Sequence, residues 1–233
     1  MLYEAACQGS VPSLLELLQQ DRLLLDRAMI SNQTSLNETP LHVAAMLGHA
    51  DFAKEILRRK PELAEELDSN RSSPLHLAAA RGHAETVRAL LAVGSEMCFA
   101  LDGDGRNPVH VAAVRGRVEA LREMVGAAPE AARAVSGWGE TALHLCVRHG
   151  RVEGLRVLVE IMVMDDYQFV NARDDFGMTI LHLAVACKQI EVRITRFMTL
   201  PNRCCMYNLE KVVCVVAVGN GCDENDQNYL SKD

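Results

Sequence analysis

PLHLAAARGH, residues 74–83, decides the fold because the chain repeats it. PLHVAAMLGH (40–49), PVHVAAVRGR (108–117) and ALHLCVRHGR (142–151) are the same segment, with His42, His76, His110 and His144 each 34 residues apart. Gly48, Gly82, Gly116 and Gly150 keep the same interval. ILHLAVACKQ (180–189) is a further copy, 38 residues on, and LYEAACQGS (2–10) is a degenerate first copy with Tyr3 in the histidine position. A fixed period of this length marks a supersecondary unit that cannot bury its apolar face alone and stacks on its neighbours.

Each position has a physical reading. Proline or alanine opens a helix, where a missing N–H costs nothing. Thr39, Ser73, Asn107, Thr141 and Thr179 stand just before it, each with a side-chain oxygen able to cap. The alanine pairs allow close approach between copies, and the glycine ends the helix. A second, amphipathic helix follows, as in AETVRALLAV, with apolar residues at three- and four-residue intervals. DSNRSS, DGDGRN, SGWGET and RDDFGM read as hairpin turns. Gly105, Gly139 and Gly177 stand where a positive φ is expected, Asn37 can serve there too, and Arg71 at that place argues against a regular turn. The pattern resembles the ankyrin signature, T-P-L-H-x-A on a period near 33 residues. That resemblance implies an all-α solenoid of helix-turn-helix repeats with projecting β-hairpin loops. It spans residues 1–191 as about five repeats with a degenerate first copy.

Composition narrows the function. The net charge of −7 argues against a general nucleic-acid surface, and all of it falls on residues 1–191, since 192–233 hold five basic and five acidic side chains. The longest apolar run, VVCVVAV at 212–218, is far short of the roughly 20 residues a spanning helix needs, so no membrane insertion by this chain is expected. MLYEAACQGS has no secretory leader pattern. With eight cysteines and no leader, free thiols in a reducing, cytoplasmic setting are expected.

Periodic histidines invite a metal reading, but neighbours one repeat apart, about 8–10 Å, cannot both reach a zinc ion about 2 Å from each ligand. His42, His76, His110, His144 and His182 are therefore expected to bond backbone and tie hairpin to helix. Cys146 stands where other copies have alanine and reads as a core thiol. No P-loop, GxSxG, HExxH or dinucleotide glycine pattern occurs, so no enzyme activity, metal or cofactor is expected.

Function in such a fold lives in surface residues that stacking leaves unconstrained. The positions before the helix-ending glycine place Arg81, Arg115 and Arg148 in a short basic stripe on the concave side. The hairpin tips align Asn70, Asp104, Trp138 and Phe176. Arg81, Asp104, Arg115, Trp138, Arg148 and Phe176 are the expected partner-binding set. Trp138, Phe176, Arg115 and Arg148 would anchor an acidic, partly apolar segment of another protein. The alternative is that Trp138 packs on its neighbouring hairpin and the arginines are solvated.

SEMCFALDGDGRNPVHVAAVRGRVEALREMV, ETALHLCVRHGRVEGLRVLVE and QFVNARDDFGMTILHLAVACKQIEV resemble the plant ankyrin-repeat proteins that end in a PGG domain, a block of transmembrane helices. The resemblance implies a scaffold or adaptor in membrane-associated defence and stress signalling, at the plasma membrane where that block is present. The chain departs from that family after KQIEV, where Pro201 interrupts any second helix. Residues 192–233 are expected to be a divergent, poorly ordered tail. They are either an alternative or read-through end of the transcript, or an authentic C-terminal cap. In a third reading, their cysteines form a thiol or metal switch.

Overall fold

The computed structural model describes residues 1–30, 38–162 and 167–187. Helices come in pairs. The inner member of each pair is Leu2–Gln8, Pro40–Leu47, Pro74–Arg81, Pro108–Arg115, Ala142–Arg148 or Ile180–Ala186. The outer member is Val11–Gln20, Ala50–Arg59, Ala84–Leu91, Val118–Ala127 or Val152–Met162. Among the described residues this makes five complete pairs and the first helix of a sixth. Inner helices pack on inner helices of adjacent repeats and outer on outer, so the core is one continuous seam.

That seam follows from the repeat pattern. Leu41, Leu75, Val109 and Leu143 are fully buried at one position of successive inner helices. Removing each such side chain from water stabilises the stack by about 1.5–3 kcal/mol. The alanine pairs 44–45, 78–79 and 112–113 are equally buried and leave room for the next helix. Short turns of helix that the sequence does not announce fill the space under the hairpins: 3₁₀ turns at Pro61–Ala64 and Glu96–Phe99, then helices at Pro129–Arg133 and Tyr167–Val170. They bury Leu63, Cys98, Ala131 and Val170.

Cys146 is buried, as its place among alanines indicates, and Gly154 is what admits the larger sulfur. A Cβ on Gly154 would lie 3.2 Å from Cys146 Sγ and 3.6 Å from Leu121 Cδ2. Alanine is normally favoured over glycine inside a helix by about 0.5–1 kcal/mol, whereas overfilling a packed core costs about 1–3 kcal/mol. Gly154→Ala is therefore expected to destabilise the protein by roughly 1 kcal/mol, and to stabilise it by a similar amount when Cys146→Ala is also present. A urea double-mutant cycle with no coupling between the two sites would refute this packing.

Consecutive hairpins hydrogen-bond into a ladder. Gly103 N–H donates to Asn70 O (2.8 Å), Gly137 N–H to Gly105 O (3.1 Å) and Asp175 N–H to Trp138 O (3.3 Å). Each turn is held from inside by one side chain. Asp68 Oδ1 accepts from Asn70 and Ser72, Asp102 Oδ1 from Asp104 and Arg106, and Asp174 Oδ1 from Phe176 and Met178, at 2.7–3.0 Å. Ser136 Oγ does the same less tightly, at 3.3 Å.

The expectation that Arg71 spoils its turn is overturned. Asp68 N–H still bonds Ser72 O and Arg71 N–H bonds Asp68 O, as Asp102, Arg106 and Gly105 do one repeat later. Arg71 simply adopts φ 60°, the left-handed conformation that glycine takes at 105, 139 and 177. The Asp68 turn is strong enough to impose it. Left-handed backbone costs a side-chain-bearing residue about 1–2 kcal/mol, partly offset in the reverse exchange by glycine's unfolded-state entropy. Arg71→Gly is expected to raise stability by up to about 1 kcal/mol, and a lowered urea midpoint would show that Arg71 is not strained.

Asn37 and the expected tail, 192–233, lie outside the described residues. On the last described helix, Val185 is 76% exposed and Leu181 half-buried.

Candidate functional site

His42, His76, His110 and His144 each tie their own N-cap to a carbonyl further along the chain. In the second repeat, His42 Nδ1 accepts from the Thr39 N–H (3.1 Å) and lies 2.8 Å from the Thr39 hydroxyl, while the His42 N–H returns to Thr39 Oγ1. His42 Nε2 sits 3.0 Å from Ser72 O in the next repeat. A carbonyl only accepts, so the ring must carry its proton on Nε2 and leave Nδ1 as an acceptor. His76 reaches Arg106 O, His110 reaches Ala134 O and His144 reaches Met178 O, at 2.9–3.2 Å. His182 keeps its Thr179 contacts and is exposed, with no Nε2 partner among the described residues. Tyr3 replaces the imidazole in the first copy by function as well as place. Its hydroxyl donates to Glu38 O at 2.8 Å, the position equivalent to Ser72.

A second row of ties escaped the sequence reading. The residue after each helix-ending glycine reaches back to the preceding repeat. His49 Nε2 lies 3.0 Å from Cys7 O, and His83 Nε2 lies 3.2 Å from Met46 O. Arg117 Nε donates to Ala80 O (3.1 Å) and Arg151 Nε to Val114 O (2.9 Å). These donors satisfy carbonyls at the C-terminal ends of the inner helices, where no intrahelical partner exists. The glycine must be bare for this to happen: a Cβ on Gly48 would meet the His83 ring at 2.6 Å. The signal was visible as a 34-residue column, but its mixed His and Arg identity hid it.

The hairpin tips carry the exposed aromatics. Trp138 is 58% exposed and Phe176 69% exposed, on adjacent turns that the Asp175–Trp138 bond links directly. Asp104, also exposed, pairs with Arg106 at 3.4 Å. A shallow groove between two tips is lined by Gly103, Asp104, Arg106, Gly137 and Trp138. Trp138 is thus more exposed than buried at its tip.

Capped helix pairs, hairpins at every junction and one stacking seam now meet a match to known proteins. A family model of three ankyrin repeats matches residues 2–99 and 60–132, and a second ankyrin-repeat model matches 109–159. The chain belongs to the ankyrin-repeat family. The ankyrin repeat domain of Bcl-3, a member of the IkappaB protein family, has a crystal structure similar to this one. The TM-score is 0.66 and the identity 24%, over 78% of each chain, which shows a shared fold. No curated protein matches the sequence.

Within this ankyrin stack the three stripe arginines differ. Arg81 and Arg115 are exposed. Arg148 is not a free cation: its Nε lies 2.7 Å from Glu140 Oε1, and its Nη2 lies 3.8 Å from Asp174 Oδ2. The Glu140 contact is a close ion pair. Both carboxylates are at least nine-tenths buried. Burial raises the Glu140 pKa and Asp174 adds to that, while Arg148 and Arg106 oppose it. The partners come from different hairpins, which is why sequence spacing gave Arg148 to the solvent stripe. Next to it, burial lowers the His149 pKa, and Arg106, Arg151, Arg148 and Arg115 all push the same way.

Among the described residues no group of acidic, histidine or cysteine side chains could hold a metal ion. No described helix is long and apolar enough to cross a membrane. Cys98 and Cys146 are buried, and burial pushes both thiols up to about 12, so neither forms a reactive thiolate near neutral pH.

Proposed function

We propose that this ankyrin stack is a non-enzymatic scaffold or adaptor that binds an acidic, partly apolar segment of another protein. Ankyrin repeats generally bind proteins and are typically non-catalytic, which supports the class of activity. The observation that carries the finer reading is the exposure of Trp138 and Phe176 on linked tips. Exposed Arg81 and Arg115 would contribute charge, Asp104 would contribute the rim, and Trp138 and Phe176 would supply the apolar anchors that dominate interface energies. Arg148 would act mainly by holding Glu140 and Asp174, so its share of the charge is smaller than the stripe alone suggests.

The ankyrin domain is taken to run over residues 1–191, with 192–233 as a separate tail. The quoted resemblance to plant PGG-domain proteins supports a place in defence or stress signalling, cytoplasmic for this chain. It also favours a second reading, in which the sequence represents part of a membrane signalling protein. Messenger RNA across codons 185–200 distinguishes them, by whether most transcripts continue into further repeats and long apolar segments.

Binding is tested with a displayed peptide library. Acidic peptides containing aromatic or aliphatic residues should be enriched, and Trp138→Ala with Arg115→Ala should weaken the winners by about tenfold or more without changing the far-ultraviolet spectrum. Unchanged affinity in that double variant would remove these residues from the interface.

A further inference from the structure

The regular bonds of the stack all lengthen at one junction, the one between the Trp138 and Phe176 hairpins. Ser136 takes the place that Asp68, Asp102 and Asp174 hold in the other turns. Its hydroxyl meets the turn N–H groups at 3.3 Å, against 2.7–3.0 Å for the carboxylates. The tip bond from Asp175 N–H to Trp138 O is 3.3 Å, where the two earlier junctions have 2.8 and 3.1 Å. His144 Nε2 lies 3.2 Å from Met178 O, beyond the 2.9–3.0 Å of His42, His76 and His110. Hydrogen bonds weaken as they lengthen. By these bonds alone, the two exposed aromatics would sit on the least firmly joined pair of turns.

A charged contact is added here instead. Glu140 closes the Trp138 turn, its carbonyl accepting from Ser136 N–H at 2.8 Å. Asp174 holds the Phe176 turn through its Oδ1. Arg148 lies against both, 2.7 Å from Glu140 Oε1 and 3.8 Å from Asp174 Oδ2. One repeat earlier the places of Glu140 and Arg148 are taken by Arg106 and Val114, and two repeats earlier by Ser72 and Ala80, so no such pair can form. Among the described residues no other ion pair reaches two hairpins. Arg106 from the preceding turn adds attraction for Glu140. The turns are also in close approach, since a Cβ on Gly139 would lie 2.8 Å from Asp175 N.

We propose that Arg148, Glu140 and Asp174 form a clasp that fixes the Trp138 tip against the Phe176 tip, so that both aromatics meet a partner already in place. All three are positioning residues, since the apolar contact belongs to the aromatics. A preformed arrangement removes the ordering cost that two independently moving tips would impose on binding. For its use in binding the clasp rests on the proposed partner site, but its effect on the tips is measurable with no partner present.

The test uses the full chain carrying Arg148→Met with Glu140→Gln, which removes the ion pair without stranding Glu140 as an unpaired charge. Amide exchange is followed by nuclear magnetic resonance at Gly139 and Asp175, whose N–H groups bond within and between the two turns. Both should exchange at least about tenfold faster, while Gly103, bonded across an earlier junction, keeps its rate. Trp138 is the only tryptophan, so fluorescence anisotropy decay reports its tip alone and should show more fast local motion. Glu140→Gln by itself keeps a neutral acceptor for Arg148 and serves if the double variant does not fold. It should speed the two amides by about threefold, a charge-assisted contact being roughly twice as strong as a neutral one. The best enriched acidic peptide should bind the double variant at least about tenfold more weakly, although Trp138, Phe176 and Arg115 are intact. Unchanged exchange at Gly139 and Asp175, or an equal rise at Gly103, would overturn the clasp. So would undiminished peptide binding once the tips have loosened. A peptide indifferent to Trp138→Ala counts against the partner site instead, and the exchange rates still decide whether the clasp holds the tips.

Discussion

Acidification from pH 7 to about 5 is expected to destabilise the stack, a loss that begins above the pKa of ordinary carboxylates, about 4. Burial lowers the pKa of His42, His76, His110 and His144, and that of His110 falls to about 4. The carbonyls that accept from Nε2 push the other way but do not win. A histidine whose folded pKa lies below its unfolded value of 6.5 binds protons more readily when unfolded. Its stabilising effect is present above pH 6.5 and is lost as the pH falls toward the folded value. The geometry agrees: Nδ1 accepts from the N-cap backbone N–H, so a proton there abolishes the acceptor. For His110 the drop from 6.5 to about 4, at roughly 1.4 kcal/mol per pH unit, amounts to about 3 kcal/mol. His42, His76 and His144 shift in the same direction and add to the loss. Urea titrations at half-unit pH intervals check this. Stability flat between pH 7 and 5 would show that the imidazoles do not titrate as buried neutral groups.

Arg148→Ala is expected to cost about 3–5 kcal/mol, because it removes the cation that lies against both buried carboxylates. Glu140 is 4% and Asp174 5% exposed, and Asp174 Oδ1 is already committed to the Phe176 and Met178 N–H groups. Arg148→Met with Glu140→Gln should recover much of the loss by removing the repulsion. Arg81→Ala, on the same stripe, should change stability by no more than about 0.5 kcal/mol. A cost for Arg148→Ala as small as that for Arg81→Ala, in urea melts at pH 7, would return Arg148 to the solvated stripe.

The two arginines show where sequence reading reaches and where it stops. Helix starts at Thr39, Ser73, Asn107 and Thr141 were legible because capping is a local contest for the same N–H groups, and their order in the chain decides it. The histidines' Nδ1 contacts belong to the same local box, three residues away. The carbonyl each Nε2 meets was not legible, since it depends on how the next repeat lands. His110, for example, bonds Ala134 and not the residue matching Ser72. Arg148 failed for the same reason, because Glu140 and Asp174 belong to successive hairpins. Arg71 failed differently: intrinsic preference argued against a left-handed residue, and the two bonds to Asp68 Oδ1 overrode it. Asp68, Asp102 and Asp174 did repeat in the sequence, as part of loops read for their glycines and tip residues.

Backbone amide mapping with the best enriched acidic peptide tests the binding claim most directly. The shifts expected on titration cluster at Arg81, Arg115, Trp138 and Phe176 and leave the outer helices Ala50–Arg59 and Ala84–Leu91 unmoved. Shifts centred on those outer helices, with the Trp138 indole unaffected, would contradict it.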